Sequence, residues 1–435
     1  MSPRQQMLAE QTNDPSFPNV LDELEWRGLV AVSTDLGALR ERLDDGPITF
    51  YCGFDPTAAS LHLGNLVQLL TLRRLQLAGN RPIALVGGAT GLIGDPKPTA
   101  ERTLNDKGTV AEWVQRIRGQ VSRFLSDEGE NPVRLVNNLD WTGQLSAIDL
   151  LREVGKHFRV NTMLSKEAVQ ARLRSEAGIS YTEFSYQVLQ GLDFLELFRR
   201  YDCVLETGGQ DQWGNLTAGI DLIKRVEGAP AHAFGTPIIT DATGKKFGKS
   251  EGNAVWLDPE LTSPYAFYQF WMNVDDRDVV PLLKVFTFLH RDRIAELGEL
   301  TQSAPQRREG QRALAWEVTS LVHGPDVARA VVDASEALFG RGDLSSVPVE
   351  TLVGAARALP HMDAEPGLAV GRALNVTGVV KSASEARRAV AQGGVYVNNV
   401  KMDSVDAPVE SFLGGRVAVL RRGKKTLAAV LRPSA

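Results

Sequence analysis

Apolar residues along the first half of the chain fall into two alternating patterns. Short unbroken runs at Ile48–Cys52, Pro82–Val86, Val133–Val136, Cys203–Leu205 and Pro237–Ile239 read as buried strands. Between them, apolar positions recur at steps of three and four. The clearest case runs from His62 to Ala78, with Leu63, Leu66, Leu69, Leu70 and Leu77 on one face and Gly79 at the end. Val110–Leu125, Leu145–Val154, Thr182–Arg200 and Asn215–Val226 read as further helices. This alternation predicts an α/β fold, a parallel sheet covered by helices, with ligands at the carboxyl ends of the strands. After Ser263 the strand signals vanish and amphipathic helices continue to Phe339. Gly340–Pro348 reads as the edge of a linker. From Leu368 a small mixed unit follows, with a helical turn at Ser384–Gln392, the pair Gly393 and Gly394, and strands at Val395–Val397 and Val417–Val419.

Composition narrows this picture. The chain has 435 residues, too many for one typical domain, and an ordinary globular mix of 43% hydrophobic and 23% charged residues. Two cysteines, Cys52 and Cys203, exclude a disulfide scaffold and a multi-thiolate metal site. No apolar run is long enough to span a bilayer, and the first residues lack an apolar signal core, so a cytoplasmic protein is expected. The net charge of −5 hides an asymmetry. From Val370 onward 11 basic residues face 4 acidic ones, so this end carries +7 and the rest −12. A basic end on an acidic body suggests a polyanionic partner, although a small domain with a solvated basic face has the same composition.

Two segments carry candidate chemistry. Tyr51–Asn65 runs from a strand through a Gly/Pro turn into a helix start, where free N–H groups and the positive dipole end suit a phosphate. His62 can donate to a phosphate oxygen, and Gly64 would allow a ring or ribose to approach. Taken alone, His62 is read more economically as a cap residue. The second segment, Lys245–Ser250, sets lysines around Gly248 in a cationic loop. Its end resembles a Walker loop, but position 243 is threonine where that motif needs glycine. Taken alone it is an ordinary solvated hairpin.

Together, a histidine-glycine helix start after the first strand and a lysine loop after the last strand resemble class I aminoacyl-tRNA synthetases. His62–Asn65 stands at the "HIGH" position and Lys246–Ser250 at the "KMSKS" position. Tyr51–Thr57, Val86–Pro96, Glu183–Tyr186 and Gly208–Asn215 resemble the bacterial tyrosyl-tRNA synthetases more closely. Ser384–Arg388 with Gly393–Asn398 is similar to the S4 RNA-binding module that ends those enzymes. The likeness runs from about Leu21 to Leu431 in the family's order.

The resemblance implies a Rossmann-like catalytic domain over 1–245 with a dimerisation insertion at about 133–174, and a loop and linker over 246–262. It further implies an α-helical anticodon-side domain over 263–347, a linker over 348–367, and a small α+β S4-like domain over 368–435. It implies a homodimer that joins L-tyrosine to ATP, releases pyrophosphate, and transfers the tyrosyl group to the 3′ end of tRNA(Tyr). Magnesium would accompany the ATP phosphates, with no structural metal. The nucleophile is an ionised carboxylate, so donors and cations suffice and no general base is needed. The implied catalytic set is Thr57, His62, Lys246, Lys249 and Ser250. For tyrosine, Asp95, Tyr186 and Gln190 would surround the ammonium, Tyr51 and Asp193 the phenol, and Gln212 the carboxylate. For ATP, the set is Cys52, Gly53, Asp55, His62, Gly64, Asn65, Gly209, Asp211, Lys246 and Lys249. Lys97 or Arg102 would reach pyrophosphate, and Arg387 and Arg388 would contact RNA. The residue types fit, since carboxylate, phenol and amide oxygens all accept from an ammonium. A pocket built to bond a phenol should reject phenylalanine, a discrimination of which tyrosyl-tRNA synthetases are the standard example.

Three departures stand out. Asn65 replaces the second histidine of the helix-start motif. Lys97–Arg102 is shorter than the family's lysine-rich stretch. Glu206, Thr207 and Gln210 differ from the family's pattern, and their role is open. Two rival functions remain: activation of tryptophan on the same architecture, against which Tyr51 and Asp193 argue, and an RNA-binding protein that has lost activation.

Overall fold

A computed structural model describes residues 3–97, 103–176, 178–250, 253–423 and 426–433. The chain forms two compact units: Met1–Asp258 with Asp275–Gly310, and Pro259–Val274 with Gln311–Ala435.

The first unit is built on a six-stranded sheet. Its strands are β1 (Val32–Ser33), β2 (Thr49–Phe54), β3 (Arg81–Val86), β4 (Arg134–Asn137), β5 (Cys203–Gly209) and β6 (His232–Thr236), in the order β1-β6-β5-β2-β3-β4. All neighbours are parallel except β1 and β6. Five residues of β2 are buried, as two covered faces require, and only Gly53 near its carboxyl end is exposed. Helix Tyr181–Tyr201 starts at Ser180, whose hydroxyl caps Glu183 N–H, and ends at Asp202 in the left-handed region. Its inner face packs Leu192, Phe194, Leu195 and Leu197 with Tyr51, Ile83 and Leu85 in the core.

The structure departs from the expected elements in several places. Pro237–Ile239 is not a strand; the strand is His232–Thr236, just before it. Proline has no N–H for a ladder and ends the pairing there. Leu145–Val154 is not one helix but a turn at Ala147–Asp149 running into a π-helical turn at Leu150–Val154. The helical region after Ser263 is divided between the units, because Asp276–Phe286 and Arg291–Ser303 belong to the first. Buried Arg27 and Arg74 explain this. They donate to Lys284 O, Thr287 O and Leu289 O, free carbonyls at the end of Asp276–Phe286 and just beyond it. A buried guanidinium without such acceptors would be costly.

In the second unit, helices Pro264–Met272, Pro325–Leu338 and Val349–Arg357 accompany a five-stranded sheet. The stretch 348–367, expected as a linker, contains helix Val349–Arg357 and strand His361–Asp363, which pairs in parallel with Thr426–Leu431. The helix buries Leu352, Val353, Ala355 and Ala356, an apolar face with a core to cover. Helix Ala383–Ala391 lies where the sequence predicts it and leaves Arg387 and Arg388 exposed. Among the described residues no helix is long and apolar enough to cross a membrane.

Candidate active site

From β2 the chain moves outward through β3 and β4, then returns on the other side of β2 as β5. The order reverses between β2 and β5, which opens a crevice beyond their carboxyl ends. A cavity of about 320 Å³ occupies that place. Its lining includes Tyr51, Cys52, Gly53, Asp55, Thr57, His62, Gly64 and Asn65 from β2 and the following helix start. Asp95, Tyr186, Gln190, Asp193, Gly209, Asp211, Gln212 and Lys246 complete the candidates it gathers.

At the rim, His62 is the N-cap of helix Leu63–Leu77. Its Nδ1 accepts the Gly64 N–H at 3.0 Å, and Asn65 Oδ1 accepts the His62 N–H at 3.1 Å. This reciprocal capping box explains Asn65 where the family's motif has histidine, since a short amide closes the box. It also explains Gly64, where a Cβ would stand 2.9 Å from the His62 ring. The cap reading of His62 is therefore correct, and it fixes the ring. With Nδ1 accepting, a neutral imidazole carries its proton on Nε2. Burial, and then the Lys246 charge, lower the His62 pKa, which favours that neutral form.

Lys246 meets His62 because two segments distant in sequence are stitched together. Leu257 N–H donates to Leu61 O at 2.9 Å, and Leu63 N–H donates to Val255 O. Thr240 and Lys246 form a bridge that returns the hairpin. Lys249 and Ser250 lie in a two-residue strand paired with Asn253–Ala254; their side chains lie outside the described residues.

The floor differs in character. Asp193 is 2% exposed and accepts from Asn138 Nδ2 at 2.9 Å and Trp141 Nε1 at 2.8 Å. Burial nevertheless raises its pKa to about 8. Tyr186 donates from its hydroxyl to Asp55 Oδ2 at 2.6 Å, and Thr90 Oγ1 donates to Asp55 Oδ1. Asp95 accepts from Gln212 Nε2 at 3.0 Å and Asn215 Nδ2 at 3.1 Å. Lys166 Nζ donates to Asn215 Oδ1 at 2.7 Å, and burial pulls its pKa down to about 7. Gln190 Nε2 donates to Glu206 Oε1 at 2.9 Å. Cys52 and Cys203 are free, buried thiols, and burial pushes Cys52 up to about 12.

Some expected residues lie elsewhere. Lys97 is exposed and does not line the cavity; its carbonyl accepts from Arg172. Arg102 lies outside the described residues. Arg387 and Arg388 belong to the second unit and have no ion pair among the described residues, whereas Arg372, Arg416 and Arg422 are paired with glutamates there. Sequence reasoning missed Asn138, Trp141 and Lys166, which it had counted only as part of a dimerisation insertion, and assigned no role to Glu206 or Asn215. Asn215 was detectable as part of the Gly208–Asn215 segment. Glu206 showed only as a departure from the family's pattern; the other three carried no local signal, because each acts through a residue far away in the chain.

Comparison with known proteins gives a consistent result. A family described as tRNA synthetases class I (W and Y) matches residues 43–340, and a Tyrosine--tRNA ligase SYY-like C-terminal domain matches residues 352–430. The chain is 68% identical over 431 residues to the Tyrosine--tRNA ligase of Leifsonia xyli subsp. xyli, covering 99% of this chain and 98% of that one. It is 61% identical to that of Streptomyces avermitilis over 416 residues, with 95% and 98% covered. Among solved structures, a C-terminally truncated Coccidioides posadasii mitochondrial tyrosyl-tRNA synthetase superimposes with a TM-score of 0.65 at 32% identity, covering 75% of this chain and 93% of that one.

Proposed function

The chain belongs to the class I tRNA synthetases (W and Y), and from that premise we propose how it works as a tyrosine--tRNA ligase. One observation carries the reading. A single cavity joins the His62 helix start and the Lys246 loop to a floor of buried oxygen acceptors.

In the first step a carboxylate oxygen of L-tyrosine attacks the α-phosphorus of ATP. The bond to the bridging oxygen breaks, and pyrophosphate leaves with the electron pair. The chain's task is alignment and charge neutralisation. Gln212 orients the tyrosine carboxylate, Asp95, the Tyr186 hydroxyl oxygen and the Gln190 oxygen take the ammonium, and Tyr51 and Asp193 take the phenol. His62 donates through Nε2–H to phosphate, a role supported by the engagement of Nδ1. Thr57, Lys246, Lys249 and Ser250 neutralise charge that builds on the phosphates. Asp211 and Gly209 take the ribose, with Cys52, Gly53, Asp55, Gly64 and Asn65 near the nucleotide. Magnesium arrives on the phosphates as part of the ATP substrate. In the second step a terminal ribose hydroxyl of tRNA(Tyr) attacks the tyrosyl carbonyl carbon, and AMP departs.

The enzyme acts in the cytoplasm as a homodimer. Exposed Leu139, Leu145, Ile148, Leu151, Val160 and Leu173, all within about 133–174, support an interface there. Ile148→Asp with Leu151→Asp should yield a monomer on analytical ultracentrifugation; an unchanged dimer would reject this surface. Arg387 and Arg388 contact tRNA phosphates, so Arg387→Ala should lower the salt slope of tRNA affinity by about 1. An unchanged slope would remove Arg387 from the contact.

The direct test is exchange of labelled pyrophosphate into ATP without tRNA. It should depend on tyrosine and proceed with neither phenylalanine nor tryptophan. Exchange with tryptophan alone, or with none of the three, would overturn the reading.

A further inference from the structure

Glu206 departs from the family's pattern and sits where a charge is costly. Its side chain lies in the cavity lining on β5, 1% exposed, opposite Tyr51 in the β2–β5 register. One carboxyl oxygen accepts the Gln190 amide N–H at 2.9 Å, and the Tyr51 hydroxyl stands beside the carboxyl closely enough to lower its pKa. A carboxyl buried this completely costs free energy when ionised, so its presence asks for a reason.

The chemistry of the pair supplies one. A glutamine amide can present either oxygen or NH2 to a neighbour, and a neutral partner such as another amide tolerates both. An ionised carboxylate has only acceptors. It forces the Gln190 NH2 toward itself and turns Gln190 Oε1 the other way. We propose that Glu206 is a positioning residue that fixes the Gln190 amide so that its oxygen faces the substrate ammonium. The proposal rests on reading the cavity as a tyrosine site.

The surroundings tune the charge. Tyr51 and Cys52 on β2, Asp193 on helix Tyr181–Tyr201, Cys203 on its own strand and Lys166 all interact electrostatically with Glu206. Burial raises the Glu206 pKa to about 7, while Gln190, Tyr51 and Lys166 pull it down. An arriving ammonium favours the ionised form. The orienting acceptor is therefore lost as pH falls through that range, and tyrosine affinity should rise as pH increases from about 6 to 8.

The test is equilibrium binding of two ligands, tyrosine and 3-(4-hydroxyphenyl)propionate, which lacks the ammonium. Glu206→Gln keeps the shape and removes the obligate acceptor. It should weaken tyrosine by about tenfold, leave the analogue within about twofold, and flatten the part of the pH dependence that Glu206 causes. In a Gln190→Ala background, Glu206→Gln should cost tyrosine nothing further, because the effect runs through the amide. Equal loss for both ligands, no loss for either, or the same loss without Gln190 would overturn the proposal and leave the tyrosine site standing. Failure of the wild-type enzyme to bind tyrosine would overturn both.

Discussion

At the floor of the cavity Asp193 is 2% exposed and held by two side-chain donors, whereas at the rim Lys246 is exposed and its segment is tied down by a few backbone hydrogen bonds. The floor's titratable groups are shifted far from their ordinary values: Asp193 to about 8, Glu206 to about 7 and Lys166 to about 7. His62, at the rim, is lowered by burial and by the Lys246 charge, which favours the neutral ring. On the proposed function, the floor is largely formed before substrate arrives and selects by what it would leave unpaired. The rim supplies donors and cations that can adjust as the phosphates change charge. On the proposed function, selectivity and rate fall to different elements of one unit.

The comparison can be attacked first at the floor, where the largest effect is expected. Asp193→Ala removes the proposed phenol acceptor and strands the Asn138 and Trp141 donors. It should lower kcat/KM for tyrosine in pyrophosphate exchange by roughly 10²–10³-fold, about 3–4 kcal/mol. A loss under tenfold would mean that the floor does not select. At the rim, Lys246→Ala should lower kcat by about 10²-fold and leave tyrosine KM within about twofold, since on the proposed function it touches only phosphates. A matching rise in tyrosine KM would erase the division between floor and rim.

A smaller effect concerns stability. The Asp193 pKa is raised from 3.8 to about 8, so the folded state holds its proton at pH values where the unfolded chain has released it. This contribution is fully present below the unfolded pKa and is lost as pH rises through about 8. Lys166, lowered to about 7, acts in the opposite sense above that pH, so the wild-type curve alone is a poor readout. Asp193→Asn isolates the term. Relative to wild type, the variant's urea midpoint should improve between about pH 6 and 8.5. A parallel pair of midpoints would show that Asp193 is ionised in the folded enzyme throughout.

The rim was more legible in the sequence than the floor, for a physical reason. His62, Gly64 and Asn65 act through their nearest neighbours on the backbone, so the capping box is written within four residues. Tyr186 and Gln190 share a helix face and could be paired by spacing. Asn138, Trp141 and Glu206 act only across strands and helices, and short-range pattern does not encode such pairs. The same limit explains the fold. The alternation found the parallel core, but it moved the last strand to Pro237–Ile239, because His232–Thr236 is buried without being rich in branched residues. The linker expected over 348–367 is instead a helix that packs on helices Pro264–Met272 and Pro325–Leu338 and on the sheet, and a strand that pairs with Thr426–Leu431, contacts that local pattern does not encode.

The central claim is that His62 and Lys246 act on the same triphosphate, and a double-mutant cycle on the rate of tyrosine-dependent pyrophosphate exchange tests it most directly. His62→Asn preserves the helix cap and removes the imidazole donor; Lys246→Ala removes the cation. The account predicts that the two losses couple by at least about 1 kcal/mol in the activation step. Losses that add independently, with the cap intact, would contradict it.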